Sequence, residues 1–328
     1  MRLFPLSISF IFYLLAAFVP NVHAHSGRID DNGGHWDRKT ATYHFHKGPL
    51  AEQSFPSKKV AVAALQAALQ DNPPFPMQTI TVASWNMHNL AYRGKETKLG
   101  IINLILSRYD LIVLQEVGKP KVIDHLQKAL QEVFQLPYKQ KVATVGKGKK
   151  ERYAFLWRSD KITLLKGPEL YPDPNDLFER TPYCGYFKVG SFDWGLCTAH
   201  ILYGKKKEDR RKEVRQLSQV YRYYRNLIND EDVIFCGDFN LPPDDPAWHK
   251  FIKEDGMKYA ISHPVVTTFK GKNLYDNCFW PNSTVEILPN SGQVFKFDQL
   301  IASPKSLSDH RPISITLKIP AAPLPKND

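Results

Sequence analysis

After Pro20 the sequence has no apolar run of the ~20 residues a membrane-spanning helix needs, so a helical membrane protein is excluded for everything that follows. Cysteine is scarce, at four in 328 residues, and no cysteine or histidine cluster accompanies the acidic motifs described below. Hydrophobic residues make up 43% and charged residues 23%, near the globular average, so disordered, collagen-like and coiled-coil readings of the whole chain fail. Acidic residues are the scarcer charge. Lys plus Arg number 44 against 33 Asp plus Glu, a net +11 that points to an acidic partner such as nucleic acid or a phospholipid surface. At ~150 residues per domain the length fits roughly two domains, or one α/β unit of ~250 with an appendage.

Arg2 precedes an apolar run from Phe4 to Pro20, which ends in Val22-His23-Ala24, a small-residue pattern like a signal-peptidase site. Residues 1–24 are therefore expected to be an export signal cleaved near Ala24, placing the mature chain in a secreted or periplasmic location with no transmembrane span. In an oxidising compartment Cys184, Cys197, Cys236 and Cys278 allow two bridges and three connectivities. Cys184 and Cys197 flank an apparent hairpin, YCGYFKVGSFDWGLC, and are the preferred pair. Cys236 stands in an apolar strand, where a buried free thiol is the alternative.

Five of the eleven histidines crowd the export junction and the residues just after it. Residues 25–47 form a His-rich segment, with His44 and His46 alternating onto one face of an extended chain. His35 with Asp31 or Asp37 would complete an N/O donor set, so His25, His35, His44 and His46 are candidates for a second metal site, with zinc as the ion. The competing reading is a solvated polar segment that binds metal only adventitiously. The stretch HSGRIDDNGGHWDRKTATYHFH resembles small His-rich modules of secreted bacterial proteins that end in YHYH or YHCH, although Gly34 and Phe45 stand where the cysteine-bearing versions have cysteines. Residues 48–78 read as a linker containing a helix from Lys58 to Leu69, closed by the prolines of DNPPFP. A catalytic domain is expected over 79–318, and a Pro-rich tail over 319–328.

Within that domain Ile80–Ser84 alternates as a strand, Lys98–Leu106 has helical spacing, and Asp110–Gln115 is a short apolar run bounded by polar residues, as a buried strand should be. A helix over Val122–Phe134, five further short strands and a helix over Lys206–Ile228 give mixed α/β content. Polar residues gather where the apolar strands end: Asn86 in SWNMHNL, Glu116 in LIVLQEV, and Asp238 and Asn240 in VIFCGDFN, while Asp309 and His310 occupy LSDHRP. A lone Asp there is commonly a helix cap or turn residue, but ligands in sheet-based folds favour strand ends, and an ordered set can converge from distant positions.

Together with ERYAFLWR and CTAH, this ordered set resembles the endonuclease/exonuclease/phosphatase superfamily, most closely its deoxyribonuclease I-like and bacterial extracellular nuclease members, over about Thr79 to Leu317. The resemblance implies an α/β fold, a four-layer sandwich of two mixed β-sheets packed face to face with helices outside, and divalent-metal-dependent phosphoester hydrolysis at one rim. Carboxylate and amide oxygens are the donors Mg²⁺ prefers, with Mn²⁺ or Ca²⁺ as substitutes. Carried over by motif, Glu116 is the principal metal ligand, helped by Asn86, Asp238 and Asp309, and Asn240 orients the phosphate. His310 pairs with Asp276 of LYDNCFW, with Asp298 as a rival partner, and His200 pairs with Glu151. One such pair can activate water while the other protonates the leaving oxygen. Arg180 of FERTP matches a phosphate-contacting arginine. Gly118 stands where vertebrate relatives carry a minor-groove arginine, and Lys149 where they carry a DNA-contacting tyrosine.

Substrate choice rests on the surroundings, because this fold also serves inositol phosphatases and sphingomyelinases. The run KGKKER, with Lys149 and Arg152, adjoins Glu151, and KKKEDRRK follows His200, so both are candidate tracks for nucleic-acid phosphates. The expectation is a secreted, monomeric endonuclease of low sequence specificity acting on DNA, with RNA as a second substrate. The alternative is a phospholipase C-type, sphingomyelinase-like phosphodiesterase or another phosphoesterase of the fold, for which Phe192 and Trp194 offer an apolar hairpin tip. A catalytically idle binding module would show eroded motifs, and here every catalytic residue type is present.

Overall fold

The computed structural model describes residues 34–45, 50, 53–71, 78–90, 96–145, 150–269, 271–282, 286–301 and 304–319. The expected export signal, His25, His46, Lys149 and the Pro-rich tail after Ile319 lie outside these residues, Ile319 itself ending the last strand. The chain divides between Pro76 and Met77 into two compact units.

In the first unit, β1 (Gly34–Asp37), β2 (Thr42–Phe45) and β3 (Ser54–Phe55) form an antiparallel sheet, followed by α1 (Lys58–Asp71). Tyr43, Phe45, Leu50 and Ala61 make a small core of their own. His35 lies opposite His44 in the register of β1 and β2, with ring centroids 4.4 Å apart.

The second unit opens with β4 (Gln78–Leu90), α2 (Glu96–Leu106), β5 (Leu111–Val117), α3 (Pro120–Glu132), β6 (Tyr138–Thr144) and β7 (Arg152–Arg158). It continues with β8 (Thr163–Leu170), β9 (Tyr183–Val189), β10 (Phe192–Thr198), α4 (Lys207–Ile228), β11 (Val233–Asp238) and β12 (Met257–Tyr259). β13 (Asp276–Pro281), β14 (Gln293–Val294) and β15 (Ile313–Ile319) complete it. Two six-stranded sheets result, ordered β14-β15-β4-β5-β7-β6 and β12-β13-β11-β10-β9-β8. Each is mixed, with one parallel pair, β4 with β5 and β10 with β11, among antiparallel neighbours.

The layers follow from strand periodicity. On β5, Leu111 and Val113 point into the core between the sheets, while Ile112 and Leu114 point outward to meet Ile102, Leu106, Val122 and Leu126 of α2 and α3. On β11, Ile234 and Cys236 face the inter-sheet core, while Val233 and Phe235 face Val214, Leu217, Tyr221 and Tyr224 of α4. Both central strands are buried on both faces, which is why they read as unbroken apolar runs rather than alternating ones. Helix, sheet, sheet, helix is thus a four-layer α/β sandwich. α3 starts with Pro120 in its first turn, and α4 ends at Asn229, whose left-handed φ of 53° closes the last turn.

Two expectations need correction. Cys236 is not a free thiol: β11 and β13 place it directly opposite Cys278 and the two are bonded, as are Cys184 and Cys197 across β9 and β10. Trp194 is not an exposed hairpin tip either. It is fully buried in the inter-sheet core and stacked on Phe192, so it is not available for a lipid surface. Among the described residues no helix is long and apolar enough to cross a membrane.

Candidate active site

The two parallel strand pairs run their C-terminal ends to the same seam between the sheets, and the polar residues meet there. Asn86 of β4 donates its amide N–H groups to Glu116 Oε1 of β5 and to Asp238 Oδ2 of β11, each at 2.9 Å. Glu116 sits in the left-handed region with φ 54°, a conformation that costs a non-glycine residue of order 1 kcal/mol and persists only where packing imposes it. Asn240 shares it at φ 51°, and its backbone N–H donates to Asp238 Oδ1 at 3.0 Å. Gly237 lets β11 approach this closely, because a Cβ there would lie 2.2 Å from the carbonyl oxygen of Ala199, the residue preceding His200.

Two histidine–carboxylate pairs flank Asp238. His200 Nδ1 lies 2.5 Å from Glu151 Oε1, and His310 Nδ1 lies 2.9 Å from Asp276 Oδ2. Each Nδ1 facing a carboxylate carries the proton, which directs Nε2 toward Asp238, at 3.5 Å from His200 and 3.7 Å from His310. Burial pulls the His310 pKa down, but Asp276 and Asp238 outweigh it and lift it to about 10. His200 is fully buried, and Glu151 and Asp238 likewise overcome that burial and raise it. Burial pushes the Glu151 carboxyl up, yet His200 and Arg180 bring it below the ordinary value. For Asp238 burial is again opposed and overcome, by His310, His200 and the Asn86 amide, whereas for Asp276 burial prevails and the net direction is upward.

The remaining sequence candidates fall in different places. Arg180 Nε clasps Glu151 Oε2 at 2.5 Å, so its first contact is with a carboxylate of the site itself. Asn240 donates its side-chain amide to Ile201 O at 2.8 Å. Asp309 pairs with His88 at 3.1 Å and is tied to neither Asn86 nor Asp238. Arg152 donates to the carbonyls of Gly118 and Lys150, fastening the chain between β5 and β7. Asp298 is engaged by Arg311 through two 2.8 Å bonds, which leaves Asp276 as the partner of His310. In the basic run after His200, Lys207 and Arg211 are neutralised by Asp245, while Lys205, Lys206 and Lys212 stand exposed; beyond the run, Arg215 pairs with Glu208.

Four supporting residues were not singled out by sequence. Gln115 donates to Ser84 Oγ at 3.0 Å and Thr198 Oγ1 at 2.8 Å, a fully buried polar rung joining the sheets beneath the site. A polar side chain inside the apolar run LIVLQEV was the available signal. Tyr153 OH accepts the backbone N–H of His200 at 2.9 Å, and Ser308 Oγ donates to Asn86 O at 2.6 Å while accepting from the backbone N–H of His310 at 3.0 Å. Thr267 Oγ1 accepts the backbone N–H of Asp276 at 3.0 Å.

The donor set fits a hard divalent cation. Two carboxylates from different sheets converge on one amide at equal distances, and oxygen-only convergence is what Mg²⁺-type ions require. Asn86 turns its one amide nitrogen, Nδ2, to both carboxylates, and its oxygen accepts the backbone N–H of His88 at 2.9 Å. Asp238, Asp276 and His310 also bring ligand atoms within 4.8 Å of one another, but His310 has committed Nδ1 to Asp276, the arrangement of a proton-handling pair.

A model of the Endonuclease/Exonuclease/phosphatase family matches residues 83–310. A deoxyribonuclease of Thioalkalivibrio sp. (strain K90mix) is 27% identical over 237 residues, covering 67% of this chain and 63% of that protein, just under two thirds of its length. Deoxyribonuclease-1-like 1 of Sus scrofa is 28% identical over 244 residues, covering 70% of this chain and 77% of that one. Among solved structures, D. rerio TDP2 complexed with single strand DNA product has a TM-score of 0.55 at 18% identity, covering 74% of this chain and all of that one, a likeness of fold.

Proposed function

Because the chain belongs to the endonuclease/exonuclease/phosphatase family, we propose that it is a metal-dependent hydrolase of phosphodiester bonds acting on DNA, with RNA as a second substrate. It cuts within the strand and with little sequence preference, as a monomer. The observation that carries this reading is the meeting of Glu116, Asp238 and two histidine–carboxylate pairs at one seam, each pair contributed half by one sheet and half by the other. The deoxyribonuclease relatives favour DNA as substrate, and the burial of Trp194 weighs against the lipid alternative.

Glu116 and Asp238 would hold the cation, Mg²⁺ in the first instance, with Asn86 contributing once its amide oxygen is turned inward and Asp309 standing nearer His88 as an outer carboxylate. When bound, such an ion neutralises charge growing on the phosphoryl oxygens and acidifies water. The chain's own groups move the protons. One imidazole accepts, at Nε2, the proton of the water whose oxygen bonds to phosphorus; the other delivers a proton to the oxygen whose bond to phosphorus breaks. Glu151 and Asp276 keep the proton on Nδ1 and steady the imidazolium forms. Arg180 holds Glu151 in place and sets positive charge beside the phosphate position, and Asn240 shapes the Asp238 carboxylate through its backbone N–H.

Export after cleavage near Ala24 is part of this reading and is supported by two disulfides, which persist in oxidising compartments. A role for His35 and His44 in zinc binding stands as a separate proposal, supported by their facing positions on β1 and β2. The deciding experiment offers plasmid DNA, RNA and sphingomyelin vesicles side by side in Mg²⁺ or EDTA. Cleavage of DNA in Mg²⁺ and its abolition by EDTA are expected; cleavage of lipid alone would overturn the substrate assignment.

A further inference from the structure

We propose that Tyr203, Arg210 and Tyr275 form a nucleobase platform beside the scissile bond, through which the enzyme favours single strands over duplex. The inference rests on the nuclease reading above and goes beyond it by naming the strand form. Tyr203 follows His200 by three residues and is 55% exposed, a large aromatic ring held in water at the edge of the site. Tyr275 directly precedes Asp276.

Between them the guanidinium of Arg210 lies 3.8 Å from the Tyr203 ring centroid and 5.8 Å from that of Tyr275, with the two rings 6.3 Å apart and 69° inclined. The cluster is fixed rather than loose. Arg210 Nε donates to Tyr203 O at 2.8 Å, and its Nη1 to Asn240 O at 3.1 Å and Tyr275 OH at 3.4 Å. The same Asn240 binds the Asp238 carboxylate through its N–H, so the platform is anchored to the residue that orders the reaction centre.

A rigid aromatic with a cation stacked on one face presents a flat π surface and positive charge together, the combination that bases and their phosphates recognise without regard to sequence. Lys205 and Lys206, exposed and adjacent, extend the charge along the path a backbone would take. A duplex keeps its base faces stacked inside and cannot use such a surface, whereas a single strand can turn one base onto it. The competing account is that Arg210 only pins the loop after His200 to α4, in which case the Tyr203 ring itself would be dispensable for binding.

The test uses the full chain in EDTA, so that the probe is not consumed, with an oligothymidylate carrying one central 2-aminopurine whose fluorescence is quenched on stacking. Quenching is expected with the single strand and much less with its duplex. Tyr203→Ala should weaken single-strand binding about tenfold and abolish most of the quench, while Tyr203→Phe retains both. Absence of quenching with the wild-type chain, or Tyr203→Ala binding and quenching as the wild type does, would overturn the proposal. Because the readout needs no cleavage, a chain that quenches the probe yet cuts no DNA in Mg²⁺ refutes the nuclease reading and leaves the platform standing.

Discussion

His200 and Glu151 meet at 2.5 Å with Arg180 clasping the far carboxylate oxygen, whereas His310 meets Asp276 at 2.9 Å in a pair whose second carboxylate oxygen is buried without a hydrogen-bond partner among the described residues. Both pairs take one member from each sheet. What differs is who sustains the charge. Glu151 has two cationic neighbours, His200 first and Arg180 second, which together overcome its burial and pull it below its ordinary pKa. Asp276, fully buried and pushed up, depends on His310 for its ionisation. A carboxylate that steadies a histidine can thus be secured by a third group or by burial with its partner, and the two solutions fail in different ways.

The largest expected effect is on turnover. His200→Ala and His310→Ala should each reduce plasmid nicking in Mg²⁺ by roughly 10²–10⁴-fold, the range for losing a positioned acid or base. If either variant nicks at near wild-type rate, that pair is structural and the comparison between them loses its chemical meaning.

Next comes stability, where the pairs should separate. Glu151→Gln removes one member of a largely buried ion pair and leaves Arg180 poorly matched, costing about 2 kcal/mol in urea denaturation. Asp276→Asn leaves the largely buried His310, which this carboxylate helps lift to about 10, without its partner and should cost more, about 3–5 kcal/mol, while also impairing nicking. Equal losses from the two substitutions would erase the distinction drawn above.

The smallest effect is in the acid limb of the stability profile. The Glu151 carboxyl lies below its ordinary value of 4.5 in the folded chain, so its contribution is complete above that value and is lost as pH falls through the depressed one. Wild-type stability measured from pH 7 downward should therefore fall more steeply than that of Glu151→Gln, and the two curves should draw together at the acid end. Parallel curves would mean that Glu151 titrates alike in folded and unfolded chains.

Much of this site is legible in the sequence, but not its fastening. LIVLQEV and VIFCGDFN show as apolar strands with polar ends because strands buried on both faces leave no other pattern. The pairing of His200 with Glu151 and of His310 with Asp276 comes from matching family motifs. Local periodicity does not show that Asn86 reaches Asp238 across 152 residues, or that Arg180 turns to Glu151 rather than outward to substrate. Those contacts cross between the sheets, and only the packing of one sheet on the other sets them. Trp194 is a similar case: a Trp beside a turn reads as exposed until the inter-sheet core closes over it. Cys236 likewise finds Cys278 only through the register of β11 with β13.

The most direct measurement is nicking of supercoiled plasmid by wild type and Glu116→Gln across a Mg²⁺ titration, with an EDTA control. Removing Glu116, the more exposed of the two carboxylates that accept from Asn86, should abolish most nicking at every Mg²⁺ concentration, and EDTA should silence the wild type. Wild-type nicking that persists in EDTA, or Glu116→Gln that matches wild type at low Mg²⁺, would contradict a cation held between the two sheets.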